Sequence, residues 1–357
     1  MADNNWTECP FDWMVDILTY ISVKHLKRSV VRVNKAWKMA ADFVIRKTEK
    51  LDFHFRFHYE PFSSTYSTII VTPDNSAKVM EMLTGMEDVK HLRAFVFDFP
   101  EGHQLVYQLL RKWSPTLLTL EVHDCDFTGL TFPLLEKLDA GMWLLPPTVV
   151  ATTQNLKSLT FARADNLHLV LESVPNPELM QYLCLCNNDV GGADTSRAVK
   201  AILRFKNVKE LLFPPFVSSA DENCIRTLFL GFSQLTRLYI RVRLQDHDAN
   251  DAAIDGLVKN SPQLSDVEIG EVRVTDRSMQ SMARLRDLVS LSFPNCGPVS
   301  ANSVLALLRG PSRTKITHVV VKLDAATTDV AKQEVEQEEV AIERETLRRI
   351  TFVFLPR

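Results

Sequence analysis

One apolar frame recurs along this sequence and limits what the chain can fold into. In TDRSMQSMARLRDLVSLSFPNC, from Thr275 to Cys296, Met279, Met282 and Leu285 fall at three-residue steps, one stripe of a short helix. The period then changes. Leu288, Leu291 and Phe293 follow an L-x-x-L-x-L frame, and Cys296 stands three residues beyond the last of them. A helical return followed by a short strand cannot bury its own apolar edge, so one copy demands neighbours on both sides.

The chain supplies those neighbours. The frame restarts at Leu92, Leu117, Leu156, Met180, Val208, Leu235, Leu264, Leu288, Ile316 and Leu347. Successive starts lie about 24 to 31 residues apart with one exception, which suits the leucine-rich-repeat template that the frame resembles. The exception runs from Leu117 to Leu156 and contains PLLEKLDAGMWLLPPTVV, read here as an insertion that lengthens one repeat. Leu51 to Phe55 is expected as a capping strand, and TIIVTPD near residue 70 as an edge strand or loop. Between the frames the pattern turns helical, as in SRAVKAILRF, DAAIDGLVKN and ANSVLALLRG, several of which begin with Ser or Asp at an N-cap position.

Strand-plus-helix units of this length also fit a (β/α)8 barrel, which would imply an enzyme. Barrel strands are buried on both faces and read as nearly unbroken apolar runs. Here the residues between frame positions are often polar or charged: Thr119 and Glu121; Arg237, Tyr239 and Arg241; Asp266 and Glu268; Lys322; Arg349. An unpaired charge inside a barrel costs several kcal/mol. The strands are therefore expected to hide one face and wet the other. That predicts an α/β fold, an open and curved parallel sheet with helices outside it.

Ahead of the array, ECPFDWMVDILTYISVKHLKRSVVRVNKAWKMAAD reads as short helices. Trp13, Met14, Ile17, Leu18 and Ile21 form one stripe, and Leu26, Val30, Val33 and Trp37 a second. So small a piece is marginal alone and is expected to pack on the array, on a partner, or on both. The residue order resembles the F-box: Pro10, Asp12, Trp13-Met14, Ile17-Leu18, Tyr20-Ile21, Leu26 and the K-x-W of Lys35 to Trp37. The chain departs from that pattern at Cys9, where Leu is usual, at Asn34, where Cys is common, and by one residue between Leu26 and Trp37. The resemblance covers about a tenth of the chain. It implies a three-helix unit docking on the adaptor subunit of SCF-type cullin–RING ubiquitin ligases through Pro10, Met14, Ile17, Leu18, Ile21, Leu26, Val33 and Trp37. The repeats with Cys125 and Cys296 resemble those common in F-box proteins.

Little in the sequence suggests chemistry of its own. No P-loop, G-x-G-x-x-G, H-E-x-x-H or G-x-S-x-G is present, and the nine histidines are scattered. His54 and His58 are four apart, but FHFRFHYEP reads as strand. The six cysteines, Cys9, Cys125, Cys184, Cys186, Cys224 and Cys296, match neither a disulfide framework nor a zinc spacing and are read as thiols in a reducing compartment. With a net charge of -3, no whole-molecule field argues for nucleic acid or an anionic membrane as partner, which leaves only a local basic patch open, and neither is expected. MADNNWTECP has neither a basic n-region nor an apolar h-region, so no signal peptide is expected. No apolar run approaches the roughly 20 residues of a spanning helix. A cytoplasmic or nuclear protein without cofactor is the expectation.

These readings divide the chain into a helical, F-box-like domain over 5-48 and a leucine-rich-repeat solenoid over 49-357. The solenoid has about ten irregular repeats, with the acidic segment AKQEVEQEEVAIERETL near its end as a solvated capping helix. The expected binding surface is the sheet face. It offers Arg237, Tyr239 and Arg241 beside Asp266 and Glu268, then His318, Lys322 and Arg349. The arginines either read an acidic or phosphorylated segment or pair with the adjacent carboxylates. The function expected is that of a non-catalytic substrate-recognition subunit, a monomer within a hetero-complex with the SCF adaptor, through it cullin, and a protein substrate. A free-standing leucine-rich-repeat binding or inhibitory module, its N-terminal helices merely capping the array, is the alternative.

Overall fold

A computed structural model describes residues 14–15, 17–18, 26, 29–46, 50–55, 67–71, 81, 83, 85–86, 89–96, 100–123, 125–141, 144–162, 164, 166–185, 192–213, 222–244, 246–294, 299–321, 329–346 and 351–354. It divides into two compact units, Met1–Leu156 and Lys157–Arg357. The F-box-like stretch and the first repeats both belong to the first unit.

In the first unit, Met14, Leu18 and Leu26 are buried. Helix α1 (Lys35–Arg46) follows a single 3-10 turn. Asn34, which departs from the F-box pattern, caps this helix: its Oδ1 accepts the Trp37 N–H at 3.0 Å. Ala40, Ala41, Val44 and Ile45 are buried along one side of α1, and Met39 and Phe43 face outward on the other.

The chain then forms β1 (Lys50–Phe55), β2 (Ser67–Val71), β3 (His91–Val96), α2 (Pro100–Trp113), β4 (Thr119–His123), β5 (Lys137–Asp139) and α3 (Pro147–Val150). The strands are parallel and lie in the order β2-β1-β3-β4-β5. Strand β1 is therefore interior, and TIIV, not LDFHF, takes the outermost place.

The long interval after Leu117 is also corrected. It holds two short repeats, not one long one, because Leu135, Leu138 and Ala140 follow the frame and are buried around β5. A loop replaces the helix between β4 and β5. Its Phe127, Leu130 and Phe132 fill the space a helix would occupy, with the two rings edge to face at 6.4 Å. Asp126 accepts the Thr128 N–H at 2.8 Å, and Gly129 takes φ +73°, the left-handed conformation that turns the chain back.

The second unit alternates strand and helix throughout. Its elements are β6 (Ser158–Thr160), α4 (Leu167–Glu172), β7 (Tyr182–Cys184), α5 (Gly192–Ile202), β8 (Glu210–Phe213), α6 (Glu222–Gly231), β9 (Arg237–Leu244) and α7 (His247–Asn260). They continue with β10 (Asp266–Val272), α8 (Asp276–Met282), β11 (Ser290–Ser292), α9 (Ala301–Leu308), β12 (His318–Val321), α10 (Asp329–Thr346) and β13 (Thr351–Phe354). Neighbours in sequence are neighbours in the sheet, all parallel. Right-handed crossovers of this kind put every helix on one face. Eight strands would suffice for a (β/α)8 barrel, yet β6 and β13 do not pair with each other. The sheet stays open, and the fold is an α/β leucine-rich-repeat solenoid.

The frame residues explain its cohesion. Leu159, Leu183, Leu211, Leu238, Val267, Leu291 and Val319 stand in register from β6 to β12, and each is at most 3% exposed. Full burial of such a side chain stabilises by about 1.5–3 kcal/mol relative to exposure, and here it needs a repeat on each side. Hydroxyls extend the ladder: Thr236 donates to the Lys209 carbonyl, Ser265 to that of Thr236, and Thr317 to that of Val289.

On the helical side, carboxylates tie together the helices from α7 onward. Asp251 of α7 accepts the Thr275 N–H at 3.1 Å and the hydroxyls of Thr275 and Ser278, fixing the N-cap of α8. Asp276 of α8 accepts the Ser300 N–H at 2.7 Å, at the N-cap of α9. Burial works to raise the Asp276 carboxyl, but the hydrogen bonds from Ser300 and Ser303 outweigh it and hold its pKa below the usual value. The acidic C-terminal helix is anchored rather than wholly solvated: Val335 and Ile342 are buried, and Glu338 binds Arg309 at 2.9 Å and Arg313 at 2.5 Å.

Asp251→Ala leaves three donors between α7 and α8 without their acceptor. The expected cost is about 2–4 kcal/mol, read as a lower urea midpoint with unchanged slope. An unchanged midpoint would show that this carboxylate does not hold the two repeats together.

Candidate functional site

Because strand side chains alternate, the residues flanking each buried frame position face the other way, onto the side without helices. In the second unit they form two rows across the strands. The first runs Ser158, Tyr182, Glu210, Arg237, Asp266, Ser290 and His318, each in register with the next. The second runs Thr160, Cys184, Leu212, Tyr239, Glu268, Ser292 and Val320, of which Cys184 and Ser292 are buried by their neighbours. The charged residues from Arg237 to Glu268 thus stand on the wet side, as the strand chemistry requires.

The rows enclose a depression of about 320 Å³ over β7 to β11. Tyr182, Leu212 and Tyr239 give it aromatic and apolar surface, Glu210, Arg237, Asp266 and Glu268 its charge, and Ser290 one further polar wall. Arg237 lies between two carboxylates, at 3.1 Å from Glu210 and 3.6 Å from Asp266. The hydrogen bond and charge of Glu210, with Asp266 adding to them, push the guanidinium pKa above its ordinary value. The pair is exposed, so its contribution to stability is small. Its consequence is electrostatic: among the described lining residues one cation faces three carboxylates, and the depression is net acidic.

Of the six residues expected to bind substrate, the structure brings Arg237 and Tyr239 into this depression and puts His318 on the same row, two strands beyond Asp266. Arg241 stands in register with Gly270, and its side chain is outside the described residues, as are Lys322 and Arg349. Tyr182, Glu210 and Leu212 were not singled out from the sequence. The signal was there, since Glu210 in V-K-E-L-L-F holds the frame position that Arg237 holds in L-T-R-L-Y-I.

Of the eight residues that the F-box resemblance assigns to an adaptor, Met14, Leu18 and Leu26 are buried within the chain. Ile17 is 43% and Val33 60% exposed, and Trp37 is half-buried. Pro10 and Ile21 lie outside the described residues, as do Cys9, Cys186 and Cys296.

Cys125 and Cys184 are buried, and Cys224 stands 3.2 Å from the Ser196 hydroxyl. Among the described residues there is no cluster of three metal-ligating side chains, and no helix is long and apolar enough to cross a membrane.

No protein family and no curated protein matches this sequence. Solved structures similar to it at low identity include the following two. The first is the Rad7 and Elc1 complex in yeast, 16% identical with a TM-score of 0.48 over 74% of this chain and 64% of that one, less than two thirds of its length. The second is an internalin from Listeria monocytogenes strain 4b F2365, 12% identical with a TM-score of 0.42 over 94% of this chain and 95% of that one. The fold assignment rests on the strand order and the buried frame described above.

The two sides of one strand should respond oppositely to substitution. Leu238→Ala is expected to cost about 2–5 kcal/mol, and the adjacent Arg237→Gln less than about 1 kcal/mol, both by urea denaturation. A larger loss for Arg237→Gln would place the core on the wrong side of the sheet.

Proposed function

We propose that this chain is a non-catalytic recognition subunit that holds a protein partner on the open face of its repeat sheet, and that its N-terminal helices dock it on the adaptor of an SCF-type ubiquitin ligase. The observation that carries the first half is the depression over β7 to β11, where aromatic, apolar and charged side chains converge on a face left bare of helices. Arrays of this type bind through extended surfaces of this kind, and Tyr and Arg are common anchors at protein interfaces.

The second half rests on the F-box resemblance and on how the N-terminal apolar stripe is divided. Met14, Leu18 and Leu26 serve the chain's own core, whereas Ile17 and Val33 remain exposed. Exposed apolar side chains beside a buried set are what a docking helix offers a partner. The mechanism proposed is proximity: a substrate held on the sheet is brought near a ubiquitin-charged enzyme and its lysine reacts at raised effective concentration. This chain contributes binding and orientation, and the bond-making groups belong to other subunits.

The second reading, a free-standing repeat module, is favoured by the complete burial of Leu18 and Leu26, which suits helices that merely cap the array.

Capture of purified SCF adaptor by the full chain separates the two. Ile17→Asp combined with Val33→Asp is expected to reduce capture at least tenfold while circular dichroism and urea midpoint stay unchanged. Equal capture by the variant and the natural chain, or no capture by either, would leave the free-standing module as the function.

A further inference from the structure

We infer that the depression over β7 to β11 recognises a basic segment of its protein partner, taking an arginine or lysine side chain between its carboxylates and tyrosines. This deepens the reading of the open face as the partner-binding surface and is independent of how the N-terminal helices dock.

Glu210, Arg237 and Asp266 occupy consecutive strands in one row, so Arg237 is shared by the two acids that flank it. Its charge is thereby committed within the row. An incoming phosphate or carboxylate would have to displace Glu210 or Asp266 from the guanidinium while lying beside the remaining acids. An incoming cation meets the opposite situation. Two residues further along β10, Glu268 adds a third carboxylate on the same side of the sheet, and the described lining residues carry two more negative charges than positive.

The shape and chemistry of the wall point the same way. Glu268 stands in register with Tyr239, and Leu212 stands in register with Tyr239 on the other side. A carboxylate, an aromatic ring and an apolar surface therefore follow one another along the second row, with Tyr182 at the far end of the first. The aliphatic stem of an arginine or lysine suits Leu212 and the ring faces, while its charged head suits Asp266 and Glu268. Arginine fits better than lysine, because its planar guanidinium both stacks on an aromatic ring and bonds a carboxylate through two N–H groups. The remainder of the face is also compatible with an extended segment: Ser290 and Ser292 lie beyond the acids and bring no further charge.

The test uses the full chain and two fluorescein-labelled nine-residue peptides, one of alternating Gly and Arg and one of alternating Gly and Glu, with affinity read by anisotropy at about 0.15 M salt, where charges about 8 Å apart are already screened. The expected result is saturable binding of the Gly–Arg peptide and none of the Gly–Glu peptide. Asp266→Asn combined with Glu268→Gln should weaken the Gly–Arg peptide at least tenfold. Glu334→Gln combined with Glu336→Gln, on the exposed acidic helix α10, should change it less than twofold. Preference for the Gly–Glu peptide, or an equal loss from the α10 variant, overturns the proposal. Neither peptide binding also overturns it. Adaptor capture with these variants tells this failure from that of the ligase reading: unchanged capture leaves the docking half standing, whereas its absence from the natural chain removes that half whatever the peptides do.

Discussion

The structure depends on apolar side chains that no single repeat can shelter. Each strand turns its frame residues inward, and they are covered only when the strands before and after supply theirs. In the second unit this row runs unbroken from Leu159 to Val319. Stability is then shared between neighbours, as expected of a quasi-one-dimensional array, and terminal repeats need other cover. At the C-terminal end β13 pairs with β12, and on the helical side α10 is held by Val335, Ile342 and the pairing of Glu338 with Arg309 and Arg313.

The same alternation creates the candidate site. Once one row is committed to the core, the flanking residues must meet water or a partner, and their composition is freed from packing. That freedom is used unevenly. Ser158 and Thr160 leave one end of the face polar and small, whereas β7 to β10 concentrate three acids and an arginine around two tyrosines. The arginine was the residue most suggestive of an acidic ligand when read in isolation. Placed between Glu210 and Asp266 it becomes part of an acidic surface instead, because strands that are distant in sequence put carboxylates on both sides of it.

Most of the fold was legible in the sequence because the frame has a fixed period and a fixed chemistry. The open sheet followed from charged residues at every second position, which a barrel interior does not tolerate. The legibility failed where a repeat was built differently. Between β4 and β5 a loop with Phe127, Leu130 and Phe132 does the work of a helix, so the helical pattern was missing and the short repeat was taken for an insertion. At the other end of that unit, LDFHF has the frame of a cap, but parallel pairing on both of its sides makes it interior; nothing in the order of strands along the chain announces that β2 lies outside β1. The site was half legible. Arg237, Tyr239, Asp266 and Glu268 could be assigned to one face from one pair of strands, but their electrostatic sum needed Glu210 from a third. The split of the N-terminal stripe into buried Leu18 and exposed Ile17 is likewise a matter of tertiary packing that helical spacing alone does not resolve.

What unites fold and function is therefore the claim that each strand of the second unit has one dry and one wet side. Hydroxyl-radical footprinting of the native chain, with each residue's oxidation rate normalised to that in the unfolded chain, reads this directly. The account predicts that the half-buried Tyr182, Tyr239 and His318 keep a substantial fraction of their unfolded-chain rates, while Leu211, Leu238 and Leu291 are protected at least tenfold. Protection of the tyrosines and histidine with free oxidation of the leucines, or equal protection of both sets, would contradict it.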